Sequence, residues 1–411
     1  MHLICPSEKR KLLIGEIINI NSPTLILTTN SISDFLTSSP LKIITPSNLD
    51  LLIKTLNLKP EILNPNQKPL EKLKNFFQKP YVDCDYILLD PELIFPSSPL
   101  FKEKYKNLYF FLRNTKPKRL ITISGSLPLK TLLKLLKSIG CKEKKVLVKP
   151  ELNFKIQTVF TNNKLDTLAN LIKNTNRTLI ICKNLTHTLF LESILKDITR
   201  NIFALKSRNT IQKRITISKF LTKEGILVAP KNFISLLKGV DFSKVIYLSC
   251  PYSIEEFIYN HINLASKKYT LIISTKDEKT LASKIKRKKH LKKEYLSFLN
   301  FLGSKEDKIE YLKTYLLSTE NPHLGRKKNN LDELKEEEKE LYKTLRESYY
   351  QYENAIDLLL GLGENFLRRG FGKLKGKPRQ DVEKIIHSLV NKHLLGIIYF
   401  CADGEIIKKI Y

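Results

Sequence analysis

One lysine and two aspartates have the side chains that nucleotide-phosphate chemistry uses, and each lies near a short apolar run: Lys11, Asp90 and Asp241. A phosphate-binding loop needs glycines, so that backbone N–H groups can wrap the phosphates, together with a lysine and a Ser or Thr hydroxyl for magnesium. In the loop Pro6–Leu12, Glu8 and Arg10 occupy the glycine positions and Leu12 occupies the hydroxyl position. We therefore expect that this loop does not cradle ATP; the alternative for Lys11 is an ordinary solvated lysine.

Two dense basic stretches could neutralise the phosphates of a nucleic acid. The first contains Lys284, Lys286, Arg287, Lys288, Lys289, Lys292 and Lys293. The second contains Arg368, Arg369, Lys373, Lys375, Lys377 and Arg379. We predict one basic helix for the first and a glycine-bearing loop, whose backbone can approach phosphates, for the second. The formal net charge of +30 favours a polyanionic partner. The alternative for each stretch is a solvated basic face in a lysine-rich protein.

Short runs rich in Ile, Leu and Val alternate with amphipathic stretches over the first 280 residues or so. Runs such as YILLD, LITIS, TLIIC and GILVAP are too short for helices and too apolar for half-exposed strands, which predicts parallel strands buried on both faces. The amphipathic stretch PLKTLLKLLKSIG predicts a helix with its C-cap at Gly140. The alternation predicts an α/β fold with two doubly wound parallel sheets. Near the C-terminus, two apolar runs around Asp403-Gly404 predict a hairpin behind a helix.

The order of several short motifs resembles the motor core of superfamily 2 helicases, most closely the RecQ family. The loop Pro6–Leu12 stands where these proteins carry PTGxGKS. The other motifs are, in chain order, Tyr86–Leu93, Phe101–Leu108, Ser124–Ser126, Lys149–Phe154, the segment from Lys213 or Arg214 to Ala229, Gly239–Asp241 and Pro251–Phe257. The resemblance covers roughly residues 1–277. It implies two tandem RecA-like lobes, to which the C-terminal helix and hairpin add a winged-helix-like region.

The resemblance implies specific roles for residues of the first lobe. Asp90 would hold magnesium, and a glutamate after it would polarise the attacking water. Pro91 occupies that glutamate position, and we expect Glu92, one residue later on an extended chain, to point elsewhere. Ser124 and Ser126 keep the hydroxyls that link ATP hydrolysis to strand movement in relatives.

The second lobe departs from the resemblance at its catalytic arginines. Relatives carry two arginine fingers after PxSIEEY, but Asn263 and Ser266 occupy those positions here. A finger contributes about 10³–10⁵ in rate. Pro230 replaces a threonine that touches the DNA backbone in relatives. We therefore expect an inactive ATPase with no cofactor; the alternative is a site for ATP and magnesium at Lys11 and Asp90.

The cysteines and the apolar runs limit the other classes of protein. None of the 6 cysteines lies near another in sequence, so we expect neither a zinc site nor a disulfide framework. No apolar run approaches the roughly 18 residues that span a membrane, and the N-terminal charge pattern is the reverse of a signal peptide. We expect a cytoplasmic protein with neither a metal nor a membrane segment.

We predict four regions: a degenerate first RecA-like lobe at residues 1–150, a degenerate second lobe at 151–280, a basic helical linker at 281–345 and a winged-helix-like domain at 346–411. The function that these features favour is a DNA-binding, ATPase-inactive RecQ homologue. It would bind single-stranded or junction DNA as a scaffold or accessory subunit in recombination, repair or replication, with protein partners of such a complex. One alternative is an active ATP-dependent DNA helicase with divergent motifs. Another is an RNA-binding or protein-interaction module.

Overall fold

The chain divides into two compact units, Met1–Leu152 with Lys313–Asn321, and Asn153–Leu312 with Pro322–Tyr411. The computed structural model describes residues 2–4, 24–27, 42–44, 85–115, 120–124, 126–141, 152–173, 177–199, 201–207, 209–238, 240–317, 334, 336–345, 350–362, 368, 370–402 and 405–411. The break after Leu152 falls inside the predicted junction Lys149–Phe154. The predicted division into four regions stays a prediction.

The first unit contains a parallel sheet of five strands in the order β1-β5-β4-β2-β3. Its strands are β1 (His2–Ile4), β2 (Thr24–Leu27), β3 (Lys42–Ile44), β4 (Asp85–Leu89) and β5 (Leu120–Ser124). The helices described here are α1 (Pro91–Ile94), α2 (Lys106–Thr115) and α3 (Leu129–Ser138). Fully buried leucines of β4, α2 and α3 form the core. Burying one such side chain contributes about 1.5–3 kcal/mol.

The second unit contains a parallel sheet of six strands in the order β6-β13-β11-β7-β9-β8. Its strands are β6 (Lys155–Phe160), β7 (Thr178–Cys182), β8 (Ile202–Ala204), β9 (Ile226–Pro230), β11 (Lys244–Tyr247) and β13 (Lys268–Ile273). Every residue of β7 and β9 is buried, because helices cover both faces of the sheet. A separate parallel pair joins β10 (Asp241–Phe242) to β12 (Ala265–Ser266).

Helices connect these strands and then continue alone. They are α4 (Lys164–Ile172), α5 (Leu185–Lys196), α6 (Thr210–Lys223), α7 (Ile254–Asn263), α8 (Thr275–Arg287), α9 (Lys292–Gly303), α10 (Lys308–Leu317), α11 (Glu336–Leu345), α12 (Tyr352–Leu360) and α13 (Arg379–Asn391). Short 3-10 helices span Glu103–Tyr105, Lys231–Leu237 and Lys289–Leu291. In the described part of the chain, no helix has the length and apolarity that crossing a bilayer requires.

Two asparagines hold the C-terminal elements in place, one by bonding to the second sheet and the other by joining helix α9 to the C-terminal hairpin. The hairpin of β15 (Ile397–Ala402) and β16 (Glu405–Ile410) is joined by β14 (Tyr350–Gln351). Asn391 of α13 accepts from the Phe160 backbone N–H at 2.8 Å and donates to its carbonyl at 3.1 Å. Asn300 of α9 pairs with the Tyr399 backbone in the same way, at 2.7 and 3.3 Å. These bonds satisfy backbone groups of β6 and β15, each of which is an edge strand among the described residues.

The predicted α/β class with parallel sheets is confirmed, and so are the individual strands that the continuous apolar runs indicated. Gly140 adopts φ +73° directly after the C-cap of α3, as its predicted place at the end of that helix requires. A helix followed by a hairpin is present near the C-terminus. The short apolar run KVLVK, for which the same pattern predicts a strand, lies outside the described residues. The predicted turn at Asp403-Gly404 lies outside them as well.

The Asn391 pair makes a specific contribution to the stability of the second unit. Replacing Asn391 by Ala should lower the free energy of unfolding by about 1–3 kcal/mol, because the Phe160 backbone loses both partners. Urea denaturation followed by circular dichroism measures this change. The matched control is Asn162→Ala, whose single exposed bond to Glu383 should matter by less than about 0.5 kcal/mol. Equal midpoints for the two variants would show that the edge bonds contribute nothing.

Candidate functional site

The carboxyl edge of the first sheet gathers the ends of the three strands that the helicase resemblance singles out. Strand β5 lies between β1 and β4, with Ile4 in register with Ser124 and Leu89 in register with Ile123. Asp90 and Ser124 therefore end neighbouring strands. The loop after β1, with Lys11, lies outside the described residues, so its placement stays a prediction.

Glu92 is buried and binds both serines of the Ser124–Ser126 motif. The Ser124 hydroxyl donates to Glu92 Oε2 at 2.9 Å, and the Ser126 hydroxyl donates to Oε1 at 3.1 Å. Ser124 Oγ also accepts from the backbone N–H groups of Ser126 and Leu127, at 3.1 and 2.8 Å. All three polar side chains are fully buried. The serine hydroxyls thus link β5 to the segment after β4.

The expectation that Glu92 lies on an extended chain is wrong. Asp90 adopts φ +50° and ψ +52°, and Pro91 then starts the short helix α1. Proline is favoured at the first helical position, since its fixed φ suits the helix and its missing N–H needs no partner there. The helical turn carries the Glu92 carboxylate inward to the serines. Asp90 itself is buried in this turn.

In the second unit, Asp241 and Ser266, which stands at one of the two arginine-finger positions, lie on paired strands. Asp241 is exposed and is in register with Ala265, and the next pair is Phe242 with Ser266. The Ser266 hydroxyl donates to the Lys268 carbonyl at 3.1 Å and accepts from its N–H at 3.3 Å. Ser266 therefore closes a local turn and presents no cation. Asn263, at the other finger position, ends helix α7.

The first basic stretch forms a corner between two helices, so the prediction of a single basic helix is corrected. Helix α8 ends at Arg287, a 3-10 turn spans Lys289–Leu291, and α9 begins at Lys292. We call the segment Lys286–Lys293 the basic corner. Within it Lys286, Arg287, Lys288 and Lys293 are exposed, and Lys292 is half-buried. Among the described residues, no carboxylate pairs with Arg287, Lys288 or Lys293.

Lys284, two residues before the basic corner, packs on an aromatic ring. Two ammonium groups contact the Tyr252 ring, with Lys231 Nζ 3.7 Å and Lys284 Nζ 3.8 Å from its centroid. Lys231 also pairs with Glu256 at 2.5 Å, and Glu256 accepts from the Tyr252 N–H at 2.8 Å. Burial lowers the pKa of Lys284, and the nearby Lys231 and Lys288 lower it further. Lys284 is thus engaged in cation–π packing and is less available to phosphate than the corner residues.

Carboxylates partly neutralise the second basic stretch. Lys373 pairs with Glu340 at 2.5 Å. Arg379 bonds to Glu353 and to Asp357, the latter at 2.9 Å. Arg368, Lys375 and Lys377 are exposed, whereas Arg369 lies outside the described residues. Glycines at 370, 372 and 376 adopt φ between +66° and +94°, so this segment is the glycine-dependent turn that the sequence predicts.

Sequence reasoning missed a cavity of about 560 Å³ at the carboxyl edge of the second sheet. The residues that follow β6, β7, β11 and β13 line it, among them Lys164, Lys183, His187, Tyr252 and Lys276. A sequence signal did exist, because Lys183 directly follows a buried strand and precedes the N-cap Asn184. In the described part of the chain, no group of three His, Cys, Asp or Glu side chains is placed to hold a metal.

No protein-family model matches the chain, and no curated protein matches it. Among solved structures, the chain is similar to a DEAD box protein from Methanococcus jannaschii at 17% identity, over 70% of this chain and 77% of that chain, with a TM-score of 0.37. It is also similar to Dbp5 of S. cerevisiae bound to RNA and ADP BeF3 at 14% identity, over 70% of this chain and 74% of that chain, with a TM-score of 0.39. It is the strand order of the two sheets that establishes the α/β fold.

The Glu92 network should be a main determinant of stability in the first unit. Glu92→Ala leaves two buried hydroxyls without their charged acceptor, so the free energy of unfolding should fall by about 2–4 kcal/mol. Thermal or urea unfolding measures the change. Glu103→Ala is the matched control, because Glu103 is 73% exposed and makes only a surface ion pair with Lys106. A Glu92→Ala protein as stable as the control would contradict a structural role for this carboxylate.

Proposed function

We propose that this protein is a helicase-like, nucleic-acid-binding protein that does not hydrolyse ATP. The observation that carries the proposal is the basic corner, where the exposed Arg287, Lys288 and Lys293 have no carboxylate partners among the described residues. Like charges gathered without counter-charges favour a polyanion, whose bound counterions are released on binding. Lys375 is a further exposed cation of the same unit.

The residue types support binding without catalysis. Glu8, Arg10 and Leu12 remove the features with which a loop wraps phosphates, and Ser266 makes a turn where relatives have an arginine. Glu92 is committed to Ser124 and Ser126, so it is not free to polarise a water molecule. The alternative of an active ATP-dependent DNA helicase would need Lys11, Asp90 and Asp241 to suffice without these groups.

Within this function we favour a RecQ-like origin and a DNA partner, single-stranded or at a junction, in recombination, repair or replication. The motif order supports the RecQ origin. The helix α13 with its hairpin supports a winged helix as a second DNA-binding element. The alternatives are an RNA partner or a protein partner for the basic surface. The protein would act as a scaffold or accessory subunit, and we place it in the cytoplasm.

Nucleic-acid binding at the basic corner is tested by charge reversal. The triple variant Arg287→Glu, Lys288→Glu and Lys293→Glu should bind a single-stranded DNA about tenfold or more weakly at moderate salt, and about equally so for all sequences. Fluorescence anisotropy measures the affinity. The control variant reverses three exposed lysines of α3, at positions 130, 134 and 137, and has the same net charge. Equal affinities for the two variants would remove the basic corner from the binding surface.

ATP turnover separates the inactive protein from an active helicase. We expect no stimulation of ATP hydrolysis by single-stranded DNA, because Asn263 and Ser266 stand at the positions where relatives carry arginine fingers, and a finger contributes about 10³–10⁵ in rate. A coupled assay for released phosphate checks this, with the Lys11→Ala protein as the baseline. Stimulated turnover that disappears in Lys11→Ala would overturn the assignment of inactivity.

A further inference from the structure

The cavity in the second unit lies at the point where the connections of the sheet diverge. Strands β7 and β11 are neighbours in the sheet. The chain leaves β7 toward β8 at one edge and leaves β11 toward β13 near the other edge. In open α/β sheets, ligands bind outside the carboxyl ends of the strands at such a divergence. The volume of about 560 Å³ is within the usual range of small-ligand pockets.

Three lysines line this cavity, and only one of them is neutralised. Lys164 Nζ lies 2.6 Å from Asp277 Oδ2 and donates to the Leu248 carbonyl at 2.6 Å. Lys183 and Lys276 are exposed, and no described residue forms an ion pair with either. Helices α4, α5 and α8 also begin at this edge, so the positive ends of three helix dipoles add to the potential. An anion in the cavity would offset the mutual repulsion of these lysines and helix N-termini.

Two aromatic rings, those of His187 and Phe190, line the same cavity as the lysines, and we call them the aromatic ledge. The rings of His187 and Phe190 are stacked, with centroids 6.3 Å apart and an interplanar angle of 15°. Phe190 is 48% exposed although it lines the cavity. Partial burial lowers the pKa of His187, and Lys164, Lys183 and Lys276 lower it further, so the ring is neutral at physiological pH. A neutral imidazole and a phenyl ring present a flat apolar surface next to cations.

We propose that this cavity binds one nucleotide, with its phosphate on Lys183 and Lys276 and its base against the Phe190 and His187 rings. Stacking on an aromatic face accepts any base, and the lysines accept any phosphate. The leucines at positions 165, 191, 248 and 281 supply the remaining apolar wall. The inference does not depend on the basic corner, whose residues do not line the cavity. The nucleotide is either free in solution or part of a nucleic-acid strand.

Calorimetric titration of the full chain with adenosine monophosphate, adenosine and inorganic phosphate tests the proposal. Adenosine monophosphate should bind at least about tenfold more tightly than either fragment, because it uses both the lysines and the aromatic ledge. Phe190→Ala should weaken its binding about tenfold and leave phosphate binding unchanged. Lys183→Gln and Lys276→Gln should weaken the binding of both the nucleotide and phosphate.

Two matched controls accompany these variants. Leu189→Ala removes an apolar side chain next to Phe190 that is 49% exposed but does not line the cavity. Lys279→Gln removes the charge of an exposed lysine of α8 that does not line the cavity either. Both should bind the nucleotide as the wild type does, and all variants should melt at the wild-type temperature because the substituted side chains are exposed. The proposal fails if adenosine monophosphate binds no more tightly than inorganic phosphate. It also fails if Phe190→Ala binds the nucleotide as well as Leu189→Ala does.

The two sources of the nucleotide are distinguished in the triple variant of the basic corner. If an excess of a single-stranded oligonucleotide of about five nucleotides abolishes the binding of adenosine monophosphate to this variant, a strand places one of its nucleotides in the cavity. If the oligonucleotide has no effect, the ligand is a free nucleotide. An oligonucleotide affinity that charge reversal at the corner leaves unchanged, together with an intact nucleotide site, would overturn only the function proposed above.

Discussion

The parallel direction of every strand in both sheets is the constraint on which the rest of the structure depends. Because the carboxyl ends of parallel strands meet at one edge, the side chains that follow the strands are brought together even when they are far apart in sequence. In the first unit this edge joins Asp90 and Ser124, and in the second it joins Lys164, Lys183 and Lys276. The buried, apolar strands set these positions, and the residues that follow them decide the chemistry.

Under the function we propose, the residues that follow the strands serve binding and not phosphate cleavage. In the first unit, a buried carboxylate that accepts from two serines is a structural link between strands. In the second unit, Ser266 closes a local turn on the separate strand pair. What the chain keeps in excess is positive charge on exposed surfaces. A framework of sheets can persist through such changes, because most of its stability comes from the burial of leucines, isoleucines and valines in the core, to which an edge link such as that of Glu92 adds.

The strands could be predicted from sequence because fully buried parallel strands consist of short continuous apolar runs. Two other elements could not be read correctly in the same way. Glu92 was expected on an extended chain, but the proline before it occupies the first helical position and starts a turn instead. The basic stretch 284–293 lacks the apolar spacing of one continuous helix, because five residues lie between the buried Ile285 and the buried Leu291. That gap breaks the helical repeat and produces the corner.

The cavity was missed for a different reason. Its lysines come from three segments that are distant in sequence, and only the strand order makes them neighbours. Single lysines next to helix N-caps are common in a chain with 71 Lys and Arg residues, so no one of them predicts a site. The strand order could not be derived from the apolar runs, since many orders bury the same residues.

The central claim is that exposed, unneutralised cations of the second unit bind nucleic-acid phosphates. The most direct measurement is the affinity of the wild-type protein for a single-stranded DNA at a series of salt concentrations. We predict that the logarithm of the association constant falls steeply and linearly with the logarithm of the salt concentration, by about 0.7 for each phosphate contacted. A slope near zero would contradict the account, because binding would then involve no release of counterions from phosphates.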